Sequence, residues 1–376
     1  MKNNWQTKKI GEVIKLEYGK PLPDYKRILN GKYPVYGANG EKDRTNEFYY
    51  DKPSIIVGRK GSAGEINLTE RRFWPLDVTY FVTFDDKKYS LGFLYNLLLT
   101  LNLRKLAKGV KPGINRNEVY GISVNIPPLP DQKRIVKVLD EVFEKTTKAK
   151  ENAEKNLQNA REIFESYLQA VFANHGDGWE EKKLEEIANI EYGFTDKAKG
   201  VGKFRYIRIT DITNRGELVG ENKVYIDFSK DAEKFILNDN DLVMARTGAT
   251  FAKVLLYKNS EPSVFASYLI RISFNKGILH KLYWYFSKSK EYWEQANKLS
   301  SGSAQPQFNG NALKEVVFKF PKSFTEQQNI VTKLDELSAE TKKLETIYQQ
   351  KLDDLEELKK SILQKAFNGE LVGACS

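Results

Sequence analysis

The stretch of sequence that decides the architecture is residues 131–172, DQKRIVKVLDEVFEKTTKAKENAEKNLQNAREIFESYLQAVF. It occurs a second time as residues 326–367, EQQNIVTKLDELSAETKKLETIYQQKLDDLEELKKSILQKAF, and the two copies align without insertion or deletion. A match of this length and regularity indicates an internal duplication of the chain. Among the residues that recur identically are Gln132, Ile135, Val136, Leu139, Asp140, Glu141, Leu157, Ser166, Leu168, Gln169 and Phe172, matched by Gln327, Ile330, Val331, Leu334, Asp335, Glu336, Leu352, Ser361, Leu363, Gln364 and Phe367.

Both copies carry apolar residues at alternating spacings of four and three, the heptad pattern of a coiled-coil helix. A helix of about 42 residues is roughly 63 Å long at 1.5 Å per residue, which is too long to lie inside one small domain. The sequence therefore predicts two long helices with matching seams. The seam residues are Ile135, Leu139, Val142, Thr146, Ala149, Ala153, Leu157 and Ala160 in the first copy, and Ile330, Leu334, Leu337, Thr341, Leu344, Tyr348, Leu352 and Leu355 in the second.

Each apolar seam needs a partner, and the other copy is the obvious one. A two-fold relation between the repeats makes that pair antiparallel, with Ala153 against Tyr348 and Ala149 near Leu352, small opposite large. The alternative is that each helix packs on a different protein or on a second copy of the chain. Asp131 follows a proline-rich stretch and is the predicted N-cap of the first helix, with Thr325 in that position in the second.

The segments that precede the two helices are also related. Residues 5–20 align without a gap on residues 179–194, sharing Trp, Lys-Lys, Glu and the triplet Glu-Tyr-Gly. Further along, an apolar run is followed by Arg-x-Gly in both halves, at Arg59 and Gly61 and again at Arg246 and Gly248. A third anchor pairs Pro112 and Asn115 with Pro306 and Asn309. Between these anchors the two halves differ in length and in most residues.

Short runs rich in β-branched and aromatic residues predict strands in each globular part. In the first we expect strands at 55–57 and 78–82 and a helix over 91–106. In the second we expect strands at 206–209, 242–245 and 268–272, with a helix near 277–299. Both globular parts are therefore predicted to be α+β. The predicted domain boundaries are 1–130 for the first globular domain, 131–173 for the first helix, 174–324 for the second globular domain, 325–370 for the second helix, and 371–376 for a tail.

Charge and cysteine content narrow the classes of protein. The net charge of +10 and pI near 9.2 favour a polyanionic partner such as nucleic acid. The only cysteine is Cys375, so no intrachain disulfide forms and a cytoplasmic location is expected. No stretch approaches the roughly 18–20 apolar residues that span a bilayer, and membrane insertion is not expected.

The sequence carries little that indicates catalysis or metal binding. The two histidines, His175 and His280, stand in neither a metal-ligand nor a triad spacing. A phosphate-binding P-loop, a dinucleotide fingerprint and a zinc pattern are all missing from the sequence. We therefore expect no catalytic residue, no metal and no cofactor in this chain, although a cofactor-free hydrolase stays open because carboxylate pairs leave no short signature.

The ordered set of motifs resembles the specificity subunit, HsdS, of type I restriction-modification systems, over essentially the whole chain. The resemblance rests on the two Trp-to-Tyr openings, on residues 33–40 (YPVYGANG), on the two Arg-x-Gly loops, and on the proline-rich exit before Asp131-Gln132 or Glu326-Gln327. Two departures stand out. Asp131 occupies a position where the family usually has Glu, and Gly310 replaces Arg116, so that arginine is not carried over as a shared contact.

The resemblance implies a fold class and a set of partners. The fold is two α+β target-recognition domains separated by two long helices that form an intramolecular antiparallel coiled coil, with a pseudo-two-fold internal repeat. Each domain would read one half of a bipartite site in double-stranded DNA. The helices would space the domains and dock two modification subunits, which methylate adenine, while restriction subunits translocate and cut. S-adenosylmethionine, ATP and Mg²⁺ would be used by those partners, so this chain is implied to be a non-catalytic, cytoplasmic subunit.

Candidate DNA contacts follow from the chemistry of the loops. Glycines let the backbone approach DNA closely, and arginine can form bidentate hydrogen bonds with guanine or a phosphate, whereas Asn and Gln suit adenine edges. The alternatives are that the Arg-x-Gly turns only shape a hairpin and that the later loop is an ordinary polar connection. The first-rank candidates are Arg59, Lys60, Ser62, Arg246 and Thr247; the second-rank candidates are Lys108, Lys111, Arg116, Ser303, Gln305, Gln307 and Asn309.

Two other functions stay open from the sequence. One is the recognition subunit of a related type II-like restriction-modification enzyme, which differs only in its catalytic partner. The other is a coiled-coil scaffold with two protein-binding heads, which accounts for the helices but not for the basic charge or the Arg-x-Gly loops. Because the helices match and the globular parts diverge, the DNA reading predicts an asymmetric target with two unlike half-sites.

Overall fold

A computed structural model describes residues 4–173, 176, 178–258, 261–302 and 307–371. The chain forms two compact units, which we call unit 1 and unit 2. Unit 1 runs up to Glu154 and resumes at Gln350, and unit 2 is Lys155–Gln349. Each unit thus contains one globular part together with a section of each long helix, so the units do not coincide with domains cut at the helix ends.

Unit 1 contains three antiparallel or mixed sheets, with strand orders β2-β8-β5-β6, β4-β3-β7 and β1-β9. The parallel pair in the second sheet is β3 with β7. The strands are β1 (Gln6–Lys9), β2 (Ile14–Tyr18), β3 (Tyr33–Gly37), β4 (Gly40–Thr45), β5 (Ser54–Gly58), β6 (Ile66–Thr69), β7 (Trp74–Pro75), β8 (Thr79–Phe84) and β9 (Ser123–Ile126). The helices are α1 (Ile10–Val13), α2 (Leu91–Thr100), α3 (Arg116–Tyr120) and the long α4 (Leu129–Ala173).

Unit 2 repeats this sheet topology strand by strand. Its sheets have the orders β11-β17-β14-β15, β13-β12-β16 and β10-β18, and β12 and β16 are again parallel. The strands are β10 (Trp179–Lys183), β11 (Ala188–Tyr192), β12 (Phe204–Ile207), β13 (Tyr225–Ile226), β14 (Leu242–Ala245), β15 (Val254–Leu256), β16 (Ser263–Phe265), β17 (Leu269–Phe274) and β18 (Val317–Pro321). The helices are α5 (Leu184–Ile187), α6 (Lys230–Glu233), α7 (His280–Phe286), α8 (Lys290–Leu299), α9 (Gly310–Lys314) and the long α10 (Phe324–Phe367). The short helix α6 is additional to the elements of unit 1, and two helices, α7 and α8, stand in place of α2.

The predicted α+β class and internal repeat are confirmed, and so are the strands at 55–57 and 242–245, which are buried throughout. Two predicted helices are shorter than expected. The helix over 91–106 ends at Thr100 because Asn102 adopts the left-handed conformation, with φ of 46°. The helix near 277–299 is two helices, α7 and α8, and the Oγ of Ser289 caps the second by accepting the Tyr292 N–H at 3.2 Å.

Both long helices begin slightly earlier than predicted. Helix α4 starts at Leu129, and the Asp131 N–H donates to the Pro128 carbonyl, so Asp131 lies in the first turn instead of capping it. Proline fits this first turn because the N–H that it lacks would have no partner there. Helix α10 starts at Phe324, and Ser323 takes the capping position predicted for Thr325, its Oγ accepting the Glu326 N–H at 3.4 Å.

In unit 1 the start of α4 packs against the end of α10, so the two helices run antiparallel. Ile135 and Leu139 are buried in the same core cluster as Ala366 near the end of α10. The Phe367 ring lies 5.2 Å from the ring of Phe93 and fixes the end of α10 against α2. The predicted antiparallel pairing within one chain is confirmed here.

The pairing in unit 2 is also antiparallel, with the end of α4 against the start of α10. Leu168 and Phe172 share a core with Leu334. The Thr341 hydroxyl donates to the Ala160 carbonyl at 3.4 Å. These two residues lie opposite each other in the predicted register of the pair. None of the packing residues named for the seam is exposed: Ile135, Leu139, Val142, Ala149, Ala153, Leu157, Ile330, Leu334, Leu337, Leu344, Tyr348 and Leu352.

A buried glutamine fastens the start of each long helix to its globular part. The Gln132 side chain accepts the Ser90 N–H at 2.9 Å and donates to the carbonyls of Lys88 and Pro127 at 3.1 and 2.9 Å. Gln327 repeats the arrangement in unit 2 with one accepted and two donated bonds. Because a buried amide needs all its partners, this geometry explains why the glutamine is identical in both copies.

Candidate nucleic-acid interface

The Arg-x-Gly loop of unit 1 leaves the sheet where β5 ends at Gly58. The Arg59 N–H donates to the Val78 carbonyl at 2.9 Å, and the Arg59 carbonyl accepts the Ile114 N–H at 3.0 Å. The backbone of Arg59 is therefore held between the start of β8 and the loop that leads into α3. The contact with Ile114 joins two of the three anchors that recur in both halves of the sequence, the Arg-x-Gly loop and the segment of Pro112 and Asn115.

The Arg59 side chain is braced on both sides. Its Nε and Nη2 donate to the Asp77 carbonyl at 2.9 and 2.5 Å, and its guanidinium carbon lies 5.4 Å from the ring centroid of Tyr18. The guanidinium of Arg116 lies 5.0 Å from the same ring, so two positive charges flank one tyrosine. Tyr18 itself is 47% exposed, which places the group at the surface. Cation–π contacts of this kind orient the arginines without neutralising them.

Tyr80, the buried tyrosine beside Arg59, stays neutral at physiological pH. Burial, together with a hydrogen bond to Tyr18, raises the pKa of Tyr80 to about 12. The nearby positive charge of Arg59 acts in the opposite direction and is the smaller effect. The Tyr80 hydroxyl donates to the Ile114 carbonyl at 3.3 Å. Because Tyr80 forms no phenolate, it does not neutralise the charge of Arg59.

Arg246 occupies the corresponding position in unit 2. Its N–H donates to the Tyr268 carbonyl at 3.1 Å, and its carbonyl accepts the Phe308 N–H at 2.8 Å. Its guanidinium carbon lies 5.4 Å from the ring of Tyr192 and 5.0 Å from that of Tyr268. The Tyr192 hydroxyl accepts the Gly310 N–H at 2.8 Å, which ties this tyrosine to the start of α9. The arginine–tyrosine pair is therefore present in both units.

Within the described ranges, the Nε of Arg246 is buried and has no hydrogen-bond acceptor. Buried polar groups are usually satisfied, so this Nε is an exception, and Arg246 lacks the bond to a backbone carbonyl that holds the Arg59 guanidinium. The glycine two residues on has a positive φ in both loops, 81° at Gly61 and 76° at Gly248, a conformation that favours glycine. Lys60 and Ser62 are exposed beside the first loop, and Thr247 is half-buried beside the second.

Two of the second-rank candidates of unit 1 lie on a hairpin next to Arg59, and the third, Arg116, begins α3. Lys108 pairs across this hairpin with Gly113, and its ammonium is bound to Glu118 at 2.6 Å. Lys111 is exposed at the hairpin, and Arg116 stacks on Tyr18 as described. The structure thus brings the unit 1 candidates into one region, with the charge of Lys108 already neutralised.

The second-rank candidates of unit 2 are described in part. Gln307 is exposed and pairs with Thr247, just as Gly113 pairs with Lys60 in unit 1. The Asn309 carboxamide oxygen caps α9 by accepting the N–H groups of Asn311 and Ala312, each at 3.0 Å, so this oxygen is committed to structure. Ser303 and Gln305 lie outside the described residues.

Sequence reasoning missed the two tyrosines on which the arginines stack. Tyr18 and Tyr192 end β2 and β11, far along the chain from the Arg-x-Gly loops. The sequence feature that could have identified these tyrosines is the triplet Glu-Tyr-Gly, which recurs in both halves. A recurring, exposed tyrosine at a strand end was the available clue.

The described residues form no group of three or more His, Cys, Asp or Glu side chains placed to bind a metal. In the same ranges, none of the helices combines the length and apolar character needed to cross a bilayer. What recurs is one exposed arginine–tyrosine site in each of two topologically equivalent units. The fold and the site therefore define a duplicated α+β protein with one such site per unit.

Comparison with known proteins specifies the family. The family described as "Type I restriction modification DNA specificity domain" matches residues 2–159 and 176–354. The chain belongs to this family, and the two matched segments correspond to the two repeats.

Individual relatives are similar over nearly the full chain. The specificity subunit of the type I restriction enzyme MjaVIII from Methanocaldococcus jannaschii is 22% identical, over 98% of this chain and 93% of its own length. The EcoDI specificity subunit from Escherichia coli is 23% identical, over 98% of this chain and 89% of its own.

Solved structures share the fold. The HsdS subunit from Thermoanaerobacter tengcongensis superposes with a TM-score of 0.62 at 16% identity, covering 98% of this chain and 97% of that one. A second solved structure is described as the structural basis underlying complex assembly and conformational transition of the type I R-M system. Its matching chain superposes with a TM-score of 0.77 at 14% identity, covering 98% of both chains.

Proposed function

We propose that this chain is the DNA-reading subunit of a type I restriction-modification complex and that each unit reads one half of a bipartite, asymmetric site. The observation that carries the proposal is the repeated arginine–tyrosine site, at Arg59 with Tyr18 and at Arg246 with Tyr192. Arginine forms bidentate contacts with guanine O6 and N7 or with a phosphate. The net charge of +10 supports a polyanionic ligand.

The differences between the two sites support unlike half-sites. Unit 1 places Arg116 on the second side of Tyr18, whereas the equivalent position in unit 2 is Gly310. Lys60 in unit 1 corresponds to Thr247 in unit 2, since each pairs with the loop that precedes α3 or α9. Different donors at equivalent positions present different patterns to the DNA, and the two halves of the target should differ accordingly.

The remaining roles are assigned to partner subunits. Two modification subunits would dock on this chain and methylate adenine with S-adenosylmethionine, and restriction subunits would use ATP and Mg²⁺ to translocate and cut. This chain would contribute recognition and no catalytic group, and it would act in the cytoplasm. Its family membership supports these assignments.

Methylome sequencing of the host with and without this gene tests the proposal. The expected result is loss of one bipartite, asymmetric methylated motif when the gene is absent. A duplex that contains this motif should bind the purified chain with an affinity that falls steeply as salt rises, because phosphate contacts release counterions. An unchanged methylome together with no binding to the duplex would contradict the DNA reading and favour a scaffold that binds proteins.

A further inference from the structure

Unit 2 contains a cavity of about 300 Å³ that the proposed DNA reading does not use. Its walls come from α4, α10, the segment around Arg215 and the turn between α7 and α8. This volume is at the lower end of the range for small-molecule pockets. The lining includes five basic and three acidic side chains, and the basic ones are Arg161, Arg215, Lys253, Lys288 and Lys342.

Two of the three carboxylates are already occupied by cations. Glu345, whose side chain is 13% exposed, accepts from Arg161 at 2.7 Å and from Arg215 at 2.8 Å. Glu217 is paired with Lys342 at 2.5 Å. The positive charge that remains on the cavity wall is therefore concentrated on the lysines without a carboxylate partner.

Lys288 and Lys253 are those lysines. Lys253 donates to the amide oxygen of Asn214 at 2.6 Å, a neutral acceptor. The Lys288 ammonium lies 3.1 Å from the centroid of the Trp284 ring, and in the described part of the chain no carboxylate oxygen is within ion-pair distance of it. The contact with an aromatic face compensates part of the solvation free energy that a half-buried ammonium loses, but it supplies no counter-charge.

The rest of the cavity is apolar. Phe164 and Leu168 of α4 and Trp293 of α8 contribute to the wall. The cavity therefore offers ammonium groups for an anion and aromatic surface for a ring. Such a pocket is too confined for the backbone of a duplex, which favours a free small molecule over DNA.

We propose that this cavity binds a small phosphate ester, with its phosphate against Lys288 and Lys253 and its organic part against Phe164, Leu168 and Trp293. The bound dianion supplies the counter-charge that the two lysines lack. This site goes beyond the proposed DNA reading and does not depend on it.

Binding should be coupled to proton uptake. The pKa of Lys288 is lowered to about 7, mainly by burial. The nearby cations also lower this pKa, whereas the negative charge of Glu217 raises it. A dianion stabilises the charged form, so Lys288 takes up a proton when the ligand binds above pH 7. The charged groups that face Lys288 or line the cavity with it are Glu217, Lys342, Arg215, Lys281, Arg161, Lys253, Glu165 and Glu345.

Calorimetric titration of the full chain with phenyl phosphate at constant ionic strength tests the site, with phenol as the uncharged probe. We expect phenyl phosphate to bind and phenol not to bind measurably. Lys288→Met should weaken binding about tenfold or more. Affinity should fall above pH 7 by up to about tenfold per pH unit, as one coupled proton requires. Lys290→Met is the matched control, since this neighbouring side chain is 81% exposed, and it should leave the affinity unchanged.

Lys253→Met provides an independent variant in the same cavity should Lys288→Met fail to fold, and it too should weaken binding. Equal affinity in the folded lysine variants and in the original chain would overturn the proposal. So would loss of phenyl phosphate binding when duplex DNA is added to saturation, because that result would assign these cations to the DNA backbone.

Discussion

The guanidinium carbon of Arg246 lies 5.4 Å from the ring centroid of Tyr192, and the same distance separates Arg59 from Tyr18 in the other unit. In each unit the tyrosine ends one strand and the arginine follows another, and the two strands are not neighbours in their sheet. The sheet topology therefore recreates one cation–π pair at the surface of each repeat. Neither arginine has a carboxylate partner among the described residues, and a charged group oriented in this way is suited to an anionic ligand.

Each arginine should serve one half-site only. We expect Arg59→Ala to weaken binding to duplexes through one half of the target, and Arg246→Ala through the other half. The loss of a bidentate base contact is worth about 1–3 kcal/mol, roughly a 5- to 150-fold change in affinity. Binding to duplexes with either half-site scrambled, followed by fluorescence anisotropy, assigns the half that each variant has lost.

Lys148→Ala is the control for that experiment, because it removes one positive charge from the exposed face of α4, where Lys148 is paired with Glu144. It should leave discrimination between half-sites intact. If both arginine variants bound these duplexes like the original chain, the two loops would not belong to the DNA interface.

The buried glutamines should be worth more to stability than other glutamines on the long helices. Gln132→Leu leaves the Ser90 N–H and the carbonyls of Lys88 and Pro127 without their partner. We expect the free energy of unfolding of unit 1 to fall by roughly 2–4 kcal/mol, since unsatisfied buried groups carry their full desolvation cost. Urea titration followed by circular dichroism measures this change.

Gln158→Leu is the comparison, because Gln158 is exposed and bonds only to Glu162 one turn away in the described structure. A surface change of this kind should stay within about 0.5 kcal/mol. Similar unfolding midpoints for the two variants would mean that the buried amide does not fasten the helix.

The ion pairs of Glu345 should make unit 2 sensitive to acid. Burial by itself would raise the pKa of Glu345, and the hydrogen bonds from Arg161 and Arg215 outweigh it and lower the pKa below the ordinary 4.5. A lowered folded-state pKa stabilises the fold above the unfolded pKa, and this stabilisation is lost as pH falls through the folded value. The difference in unfolding free energy between the original chain and Glu345→Gln should therefore be constant near neutrality.

Below about pH 4.5 that difference should shrink as Glu345 is protonated in the original chain. Urea unfolding between pH 3 and pH 7 checks the trend, and we expect roughly 1–3 kcal/mol at neutral pH from these charge-assisted bonds. A difference that grew on acidification would contradict the assigned sign.

The matched helices should set the gap between half-sites. Inserting one heptad after Ala149 in α4 and one after Lys351 in α10, at opposite positions in the predicted register, lengthens both helices by about 10.5 Å. The tolerated gap should change by about three base pairs, at roughly 3.4 Å per pair. Methylation mapping should show unchanged half-site sequences with a new gap, whereas an unchanged gap would show that helix length does not set the spacing of the half-sites.

Patterns close together in the sequence were read correctly because local periodicity determines local structure. The heptad seam predicts the long helices, and the apolar run at 55–57 predicts β5, without any knowledge of distant contacts. Helix ends were less accurate. At Leu129 and at Phe324 the chain enters its helix earlier than the capping residues suggested, because proline is acceptable in a first turn and Ser323 could cap as well as Thr325.

What the sequence determined by itself was the duplication, the α+β class, the two long helices and the arginines of the loops, since each is written in spacing or residue type along the chain. Only the tertiary structure decided that Tyr18 lies under Arg59, that Gln132 reaches three backbone groups, and that Lys288 lines a cavity with no carboxylate partner among the described residues. These relationships join residues distant in the sequence. They depend on the strand order and on the helix register, which place side chains at hydrogen-bonding and van der Waals distances only once the whole unit has folded.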